Sequence, residues 1–178
     1  MLVSSVTALG LLAPAEAVVT HLANSSVDTI SIRVGSVNAV DTVNFGTIAG
    51  DVVGNNLPVA AAGTVEIVVS AEGTGNRDIT VNADSVAGMS CQSVSSCGGA
   101  IIPFSTVSWT VGSLSSPGGS QSLSSMPAGS FNGSNSQTVA SFKSSHRLSN
   151  TLSFKYANDA VYPAGTYRGR VTFTASMP

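Results

Sequence analysis

Charged residues are scarce in this sequence. They make up 9% of the 178 residues, whereas about 25% is typical of globular domains. The net charge is −2 and the five arginines are scattered, so no basic stripe is present to neutralise the phosphates of a nucleic acid. A cytosolic monomer with so few charges would have poor colloidal protection. The composition, rich in Gly, Ser, Thr, Val and Ala, favours a secreted all-β protein and argues against a nucleic-acid partner.

Residues suited to catalysis or metal binding are also few. The two histidines, His21 and His146, are far apart in sequence, and neither has neighbours that indicate a catalytic role. No G-x-S-x-G turn marks an activated serine, and the nine acidic residues show neither a calcium-loop spacing nor a glycosidase pair. We therefore predict no catalytic residue, no cofactor and no metal site. A secreted hydrolase is an alternative that would need an acid pair or a Ser–His contact created by the fold.

The sequence contains two cysteines, Cys91 and Cys97. A zinc site would need two more ligands, and a redox-active pair normally has the tighter C-x-x-C spacing. In a chain with so little charge, an even pair predicts a disulfide, worth about 2–2.5 kcal/mol for a loop this short. A disulfide in turn indicates export to an oxidising compartment.

The N-terminal segment has the pattern of an export signal. Residues 6–15 are apolar and Ala15-Glu16-Ala17 matches a cleavage site, but no Lys or Arg precedes them. The apolar stretch is too short to cross a bilayer as a helix. Residues 1–17 are therefore either a signal peptide or a retained N-terminal donor segment. Residues 18–26 form an N-terminal extension, and residues 27–178 form one β-sandwich domain.

Short alternating apolar runs predict an all-β fold, specifically an immunoglobulin-like antiparallel β-sandwich, and no helix is convincing. Residues 112–137 are small and polar and predict a long flexible loop with at most a weak hairpin at its centre; the alternative is a surface contact or variable loop. The predicted strands cover residues 30–34, 65–69, 79–83, 107–111 and 152–156, with weaker candidates at 139–142 and 37–45.

Trp109 is the single tryptophan and lies between Val107 and Val111 on one strand face. We predict that it is buried, as single indoles often are in sandwich domains. The alternative is a cell-surface carbohydrate-binding or adhesion module, with Trp109 or loop 112–137 exposed at the binding face. Asn24 and Asn132 match the glycosylation sequon, a match that is common by chance.

Near the C-terminus, apolar and polar residues alternate with period two on both sides of a turn at residues 162–165. The second run has Tyr167, Val171, Phe173 and Ala175 on one face, so the chain is predicted to end inside a long strand. A strand at a terminus is either paired or an adhesive edge.

This C-terminal pattern resembles that of bacterial chaperone–usher fimbrial subunits. Those pilins are immunoglobulin-like sandwiches that lack their last strand, and their final strand carries a glycine fourteen positions from the end, which is Gly165 here. Two features depart from the family: the penultimate residue is Met177, not an aromatic, and the cysteines are closer together than in the usual pilin bridge.

The resemblance implies a structural subunit of an extracellular filament that polymerises by β-strand donation. It implies an assembly groove lined by Tyr167, Val171, Phe173 and Ala175. The N-terminal extension, with Val18, Thr20 and Leu22 on one face, would be the donor strand of the next subunit. The expected partners are copies of the same chain, a periplasmic chaperone and an outer-membrane assembly platform.

Overall fold

The structure is a computed structural model that describes residues 20–24, 28–35, 42–48, 52–72, 76–113 and 122–178. In this part of the chain nearly all regular structure is β-strand, and most strand pairs are antiparallel. The all-β prediction is confirmed. Among the described residues, no helix has the length and apolar character needed to cross a membrane.

The strands are short and numbered in chain order. They are β1 Thr20–Asn24, β2 Asp28–Val34, β3 Val59–Ala60, β4 Val65–Glu72, β5 Asp78–Asp84, β6 Met89–Cys91, β7 Ile101–Ile102, β8 Val107–Ser113, β9 Ser122–Ser124, β10 Gly129–Ser130, β11 Gln137–Lys143, β12 His146–Tyr156, β13 Tyr167–Gly169 and β14 Thr172–Ser176. One short helix, α1 (Val94–Cys97), and one 3-10 turn, Phe104–Thr106, complete the described elements.

The largest sheet has eight strands and is organised around β12. The strand order is β1-β2-β4-β12-β8-β10, and β3 and β9 pair with the two ends of β12. Strand β12 has 11 residues, which is long enough to pair with β9 near its start and with β3 near its end: Arg147 pairs with Leu123 of β9, and Lys155 pairs with Ala60 of β3. The β9 pair is parallel, and it joins part of the segment predicted as a loop to the main sheet.

Two three-stranded sheets complete the fold, with the orders β11-β5-β14 and β13-β6-β7. In the first, Val81 of the central strand lies between Ala140 of β11 and Ala175 of β14. A β-bulge in β11, between Thr138 and Ala140, shifts the register. Strand β14 also lies beside β2 of the large sheet, so the two sheets approach each other along this side.

The large sheet and the β11-β5-β14 sheet bury their apolar faces in one core. Ile67, Val69 and Leu148 of the large sheet, and Ile79 and Val81 of the small one, are fully inaccessible to solvent. Their spacing follows the alternation of the sequence, because successive side chains in a strand point to opposite faces. Burial of each such side chain contributes roughly 1.5–3 kcal/mol.

An aromatic cluster centred on Phe131 connects the two layers. Its ring lies 4.8 Å from Trp109, 6.3 Å from Phe154 and 6.4 Å from Phe173 between centroids. These partners belong to β8, β12 and β14, so one residue of the segment predicted as a loop contacts both sheets. The prediction of a long loop over residues 112–137 is therefore wrong for residues 122–131, which include β9, β10 and the buried Phe131.

The other predicted strands have mixed outcomes. Strands at 30–34, 65–69, 79–83, 107–111, 139–142 and 152–156 are all present. The weak candidate at 37–45 is not a strand where it is described; Asn44 forms an isolated bridge with Ala62, and residues 37–41 lie outside the described residues. The predicted long C-terminal strand is interrupted at Arg170 and Val171, which separate β13 from β14.

Candidate assembly edge

Residues 167–176 form the C-terminal edge, a name that we use for β13, β14 and the two residues between them. Each of these strands is terminal in its sheet: β13 pairs only with β6, and β14 pairs only with β5, among the described strands. Strands β5 and β6 follow each other in the chain, as do β13 and β14. The C-terminal edge and residues 78–91 therefore form one nearly continuous two-stranded ribbon. Its second side has no hydrogen-bonded partner strand within the described part of the chain.

The interruption of this ribbon has a local cause on the partner side. Thr172 pairs with Asp84 and Gly169 pairs with Met89, so the four residues 85–88 lie opposite only residues 170 and 171. The extra residues form a turn in which Val86 N–H donates to Asp84 Oδ1 at 3.1 Å. Insertions of this kind bend a strand and end its pairing, so the edge is divided into two short ladders.

The predicted groove residues do not share one environment. Phe173 and Ala175 are only 5% and 4% exposed, because they pack into the core of their own chain. Val171 is partly buried at the border of that core, as is Met177. These side chains therefore mark where the core reaches the C-terminal edge.

Tyr167 lies apart from these residues, in the β13-β6-β7 sheet. Its backbone pairs with Cys91, and its hydroxyl donates to the Pro163 carbonyl at 2.7 Å. Its ring contacts Tyr162 edge-on at a centroid distance of 6.4 Å. The tyrosine therefore closes the turn that leads into the C-terminal edge.

The predicted Cys91–Cys97 disulfide is confirmed, and it supports the same turn. The bridge closes a loop that contains α1, and Gly98 ends this helix in the left-handed conformation at φ 59°. Gln92 N–H donates to the Thr166 carbonyl at 2.8 Å. The disulfide loop thus holds the start of β13 through main-chain contacts.

The predicted donor residues Thr20 and Leu22 lie in β1, which pairs with β2 of the same chain. The register is antiparallel, with Thr20 opposite Ile32 and Leu22 opposite Ile30. Val18 lies outside the described residues. Within the described ranges, β1 is the terminal strand of the large sheet.

A buried asparagine, Asn158, lies two residues after the C-terminal end of β12, and no pattern in the sequence identified it. Asn158 is 1% exposed, and its amide donates to the Val52 carbonyl at 2.8 Å and to Asn55 Oδ1 at 2.9 Å. Its Oδ1 accepts the Gly54 N–H at 2.9 Å, and its own carbonyl accepts the Asn56 N–H at 3.0 Å. Asn158 therefore closes the 52–57 loop by contacts more than 100 residues apart in sequence.

Ion pairs connect neighbouring strands within the described part of the chain. Arg33 on β2 forms an ion pair with Glu66 on β4 and donates to the Gly35 carbonyl at 2.6 Å. The hydrogen bond from Arg33 lowers the pKa of Glu66 below its ordinary value of 4.5, against the opposing effect of burial. Lys143 on β11 and Asp78 on β5 form a more exposed pair at 2.8 Å. Each of these pairs connects two neighbouring strands at the sheet surface.

The residues considered for carbohydrate binding and for catalysis lie outside the C-terminal edge. Trp109 is 4% exposed and its indole N–H donates to the Pro127 carbonyl at 2.9 Å. The prediction that it is buried is confirmed, and Trp109 cannot stack on a sugar at the surface. His146 is a partly buried residue of β12, and the side chain of His21 lies outside the described residues. Among the described residues, no group of three or more His, Cys, Asp and Glu side chains converges as a metal site would require.

No protein-family model, no curated protein and no solved structure matches this chain.

Proposed function

We propose that this protein is a structural subunit of an extracellular filament, with an immunoglobulin-like sandwich fold, and that copies join by β-strand pairing at the C-terminal edge. The proposal is supported chiefly by one observation: one side of β14 has no partner strand among the described residues, and Phe173 and Ala175 extend the core up to that side. An added strand gains main-chain hydrogen bonds there and covers the partly buried Val171 and Met177.

The donor in this proposal is the N-terminal segment of another copy, which includes Thr20 and Leu22. In the single chain this segment pairs with β2 over five residues, and β14 offers a ladder of the same length. Leaving β2 and joining the β14 of a neighbour therefore exchanges one five-residue ladder for another. Exchange of one element between identical chains is a low-cost route to assembly, and a head-to-tail joint that does not close builds a fibre.

Two properties of the chain fit an exported, assembled state. The disulfide Cys91–Cys97 requires an oxidising compartment to persist. The low charge is tolerable when neighbouring subunits cover the surface that a monomer must keep soluble. A periplasmic chaperone and an outer-membrane platform belong to the proposal as the partners that would protect the open edge before assembly.

The joint is tested by cysteine cross-linking between copies. Thr174→Cys, at the middle of β14, is combined with single cysteines at positions 18–24, because directly opposed strand positions are close enough for a disulfide. We expect a ladder of covalent oligomers on non-reducing gels from a subset of positions with period two. In the control for random collision, Val161→Cys takes the place of Thr174→Cys, because Val161 is 78% exposed and lies outside the C-terminal edge. Equal ladders from the control, or none from any pair in fibre-forming material, would contradict the proposal.

Deletion of residues 1–26 tests the donor directly. The deletion removes β1 and leaves β2 and the acceptor strand β14 in place. We expect electron microscopy to show fibres for the full chain and none for the truncated chain. Unchanged fibres after the deletion would exclude the N-terminal segment as the donor.

A further inference from the structure

The turn between β10 and β11 contains the sole Asn-Gly dipeptide of the sequence, Asn132-Gly133. Asn132 is exposed, whereas the preceding Phe131 is buried in the aromatic cluster. The Gln137 side chain bridges the turn, because Asn132 N–H donates to Gln137 Oε1 at 2.9 Å and Gln137 Nε2 donates to the Ser130 carbonyl at 2.9 Å. Asn132 is therefore exposed to solvent in a turn whose backbone is hydrogen-bonded to the Gln137 side chain.

The side-chain carbonyl of Asn132 is polarised by two donors from one residue. Ser134 N–H donates to Asn132 Oδ1 at 2.9 Å, and Ser134 Oγ–H donates to the same oxygen at 2.6 Å. Donors aimed at an oxygen that becomes negative lower the barrier to nucleophilic attack on its carbon, as in an oxyanion hole. The next residue, Gly133, has no side chain to obstruct the attack, and a Cβ added there would have no atom within 4 Å.

From this geometry we propose that Asn132 is a site of spontaneous modification, at which the side-chain amide is converted to Asp and isoaspartate. The Gly133 backbone nitrogen, after losing its proton to a base in solvent, attacks Asn132 Cγ and forms a C–N bond. The negative charge develops on Oδ1, where the two Ser134 donors lie. The Cγ–Nδ2 bond then breaks, and the amide nitrogen leaves as ammonia with a proton from solvent.

The product of this step is a five-membered cyclic imide. Water adds to one of its two carbonyls and opens the ring, giving either a normal aspartate or an isoaspartate. The overall reaction consumes one water and releases one ammonia. Either product adds a negative charge next to Phe131. The isoaspartate also inserts a methylene into the main chain between Phe131 and β11, which displaces the turn relative to the aromatic cluster.

The test is peptide mapping of the purified full chain during incubation at neutral and mildly alkaline pH. Asn135, which is exposed in the same turn and is followed by Ser136, is the internal control. We expect Asn132 to convert roughly tenfold faster than Asn135, since Gly at the following position leaves the backbone nitrogen open. The rate should rise with pH because the attacking nitrogen must lose its proton.

The Ser134→Ala variant separates this geometry from the general reactivity of Asn-Gly. It removes the hydroxyl donor and keeps the backbone N–H donor, so we expect the Asn132 rate to fall about 3- to 10-fold with the Asn135 rate unchanged. An equal or faster Asn132 rate in Ser134→Ala would overturn the role of the Ser134 hydroxyl. Conversion of Asn135 before Asn132 in the unaltered chain would overturn the proposal as a whole.

Discussion

Gly165 lies directly against the disulfide sulfur of Cys97. A Cβ added at position 165 would lie 2.5 Å from Cys97 Sγ and 2.9 Å from Cys97 Cβ, closer than real contacts allow. Only glycine lets the turn at 163–167 approach the disulfide loop this closely, and that approach places Thr166 to accept the Gln92 N–H. The glycine singled out by its distance from the C-terminus therefore has a packing role.

The first prediction concerns Gly165→Ala. The new methyl group must displace the disulfide loop or the start of β13, so we expect the free energy of unfolding to fall by about 1–3 kcal/mol. The measurement is urea denaturation followed by Trp109 fluorescence. The matched control is Gly112→Ala in β8, where the nearest atom to an added Cβ is 3.7 Å away, an ordinary contact. A similar loss in both variants would contradict a specific clash with the disulfide.

The second prediction concerns the disulfide itself. The Cys91→Ser, Cys97→Ser variant should lose about 2–2.5 kcal/mol of stability, since the bridge restricts the unfolded chain. Because Gly165 and Thr166 rest on this loop, we expect amide hydrogen exchange to accelerate first at Tyr167 and Arg168. Exchange at Leu148 in the middle of the large sheet should change only with global stability. Uniform acceleration at all three sites would show that the loop does not specifically hold β13.

The third prediction concerns Asn158, which has a positive φ of 53° as well as its buried hydrogen bonds. Asn158→Ala leaves the Gly54 N–H and the Val52 carbonyl without their partner, so we expect a loss of about 2–4 kcal/mol. Asn158→Gly loses the same hydrogen bonds but adopts a positive φ freely, so it should be less destabilised than the alanine variant by up to about 1 kcal/mol. Equal stabilities would show that backbone strain at residue 158 is negligible.

The main sheets were predictable because their signal is local. In β4 and β5 every second residue is apolar, and this alternation directly reports which side chains face the core. The same rule located Trp109 inside the fold, since Val107 and Val111 share its face. The disulfide was predictable by elimination, because the sequence offers Cys91 no other cysteine partner.

The features that were missed depend on contacts between distant residues. The segment 122–131 has a loop composition, yet Asn150 on β12 accepts the Met126 N–H at 2.7 Å and so fixes this segment at the core. The break in the C-terminal strand depends on the turn at 85–88 of its partner, which no pattern within residues 167–176 reports. Asn158 likewise acts on a loop about a hundred residues earlier, and an isolated Asn carries no signal for that.

The fourth prediction concerns the pH dependence of the Arg33–Glu66 pair. The pKa of Glu66 is lowered in the folded state, so this carboxylate stabilises the fold above its unfolded pKa near 4.5, and the contribution disappears as the pH falls through the lower folded value. We expect Glu66→Gln to lose about 0.5–1 kcal/mol at pH 7 and to match the unaltered chain once the pH is below the folded pKa of Glu66. The measurement is urea denaturation at several pH values.

A double-mutant cycle provides the control for this pair. Arg33 also donates to the Gly35 carbonyl, so Arg33→Gln should cost more than Glu66→Gln, and part of that cost should persist at low pH. The coupling energy between the two substitutions should itself vanish in acid. A coupling energy that stays constant from pH 7 down to the onset of acid unfolding would show that ionised Glu66 is not what stabilises the pair.

The last prediction concerns assembly at the C-terminal edge. Val171 is only partly buried, so Val171→Asp places a charge where an added strand would cover it while leaving the core residues Phe173 and Ala175 unchanged. We expect the variant to fold, as judged by a blue Trp109 emission, and to form no fibres in electron microscopy, because an added strand would bury an unpaired carboxylate. Val161→Asp adds the same charge at a site 78% exposed and outside the edge, and it should assemble normally. Normal fibres from folded Val171→Asp, or loss of fibres in both variants, would place the joint between subunits elsewhere.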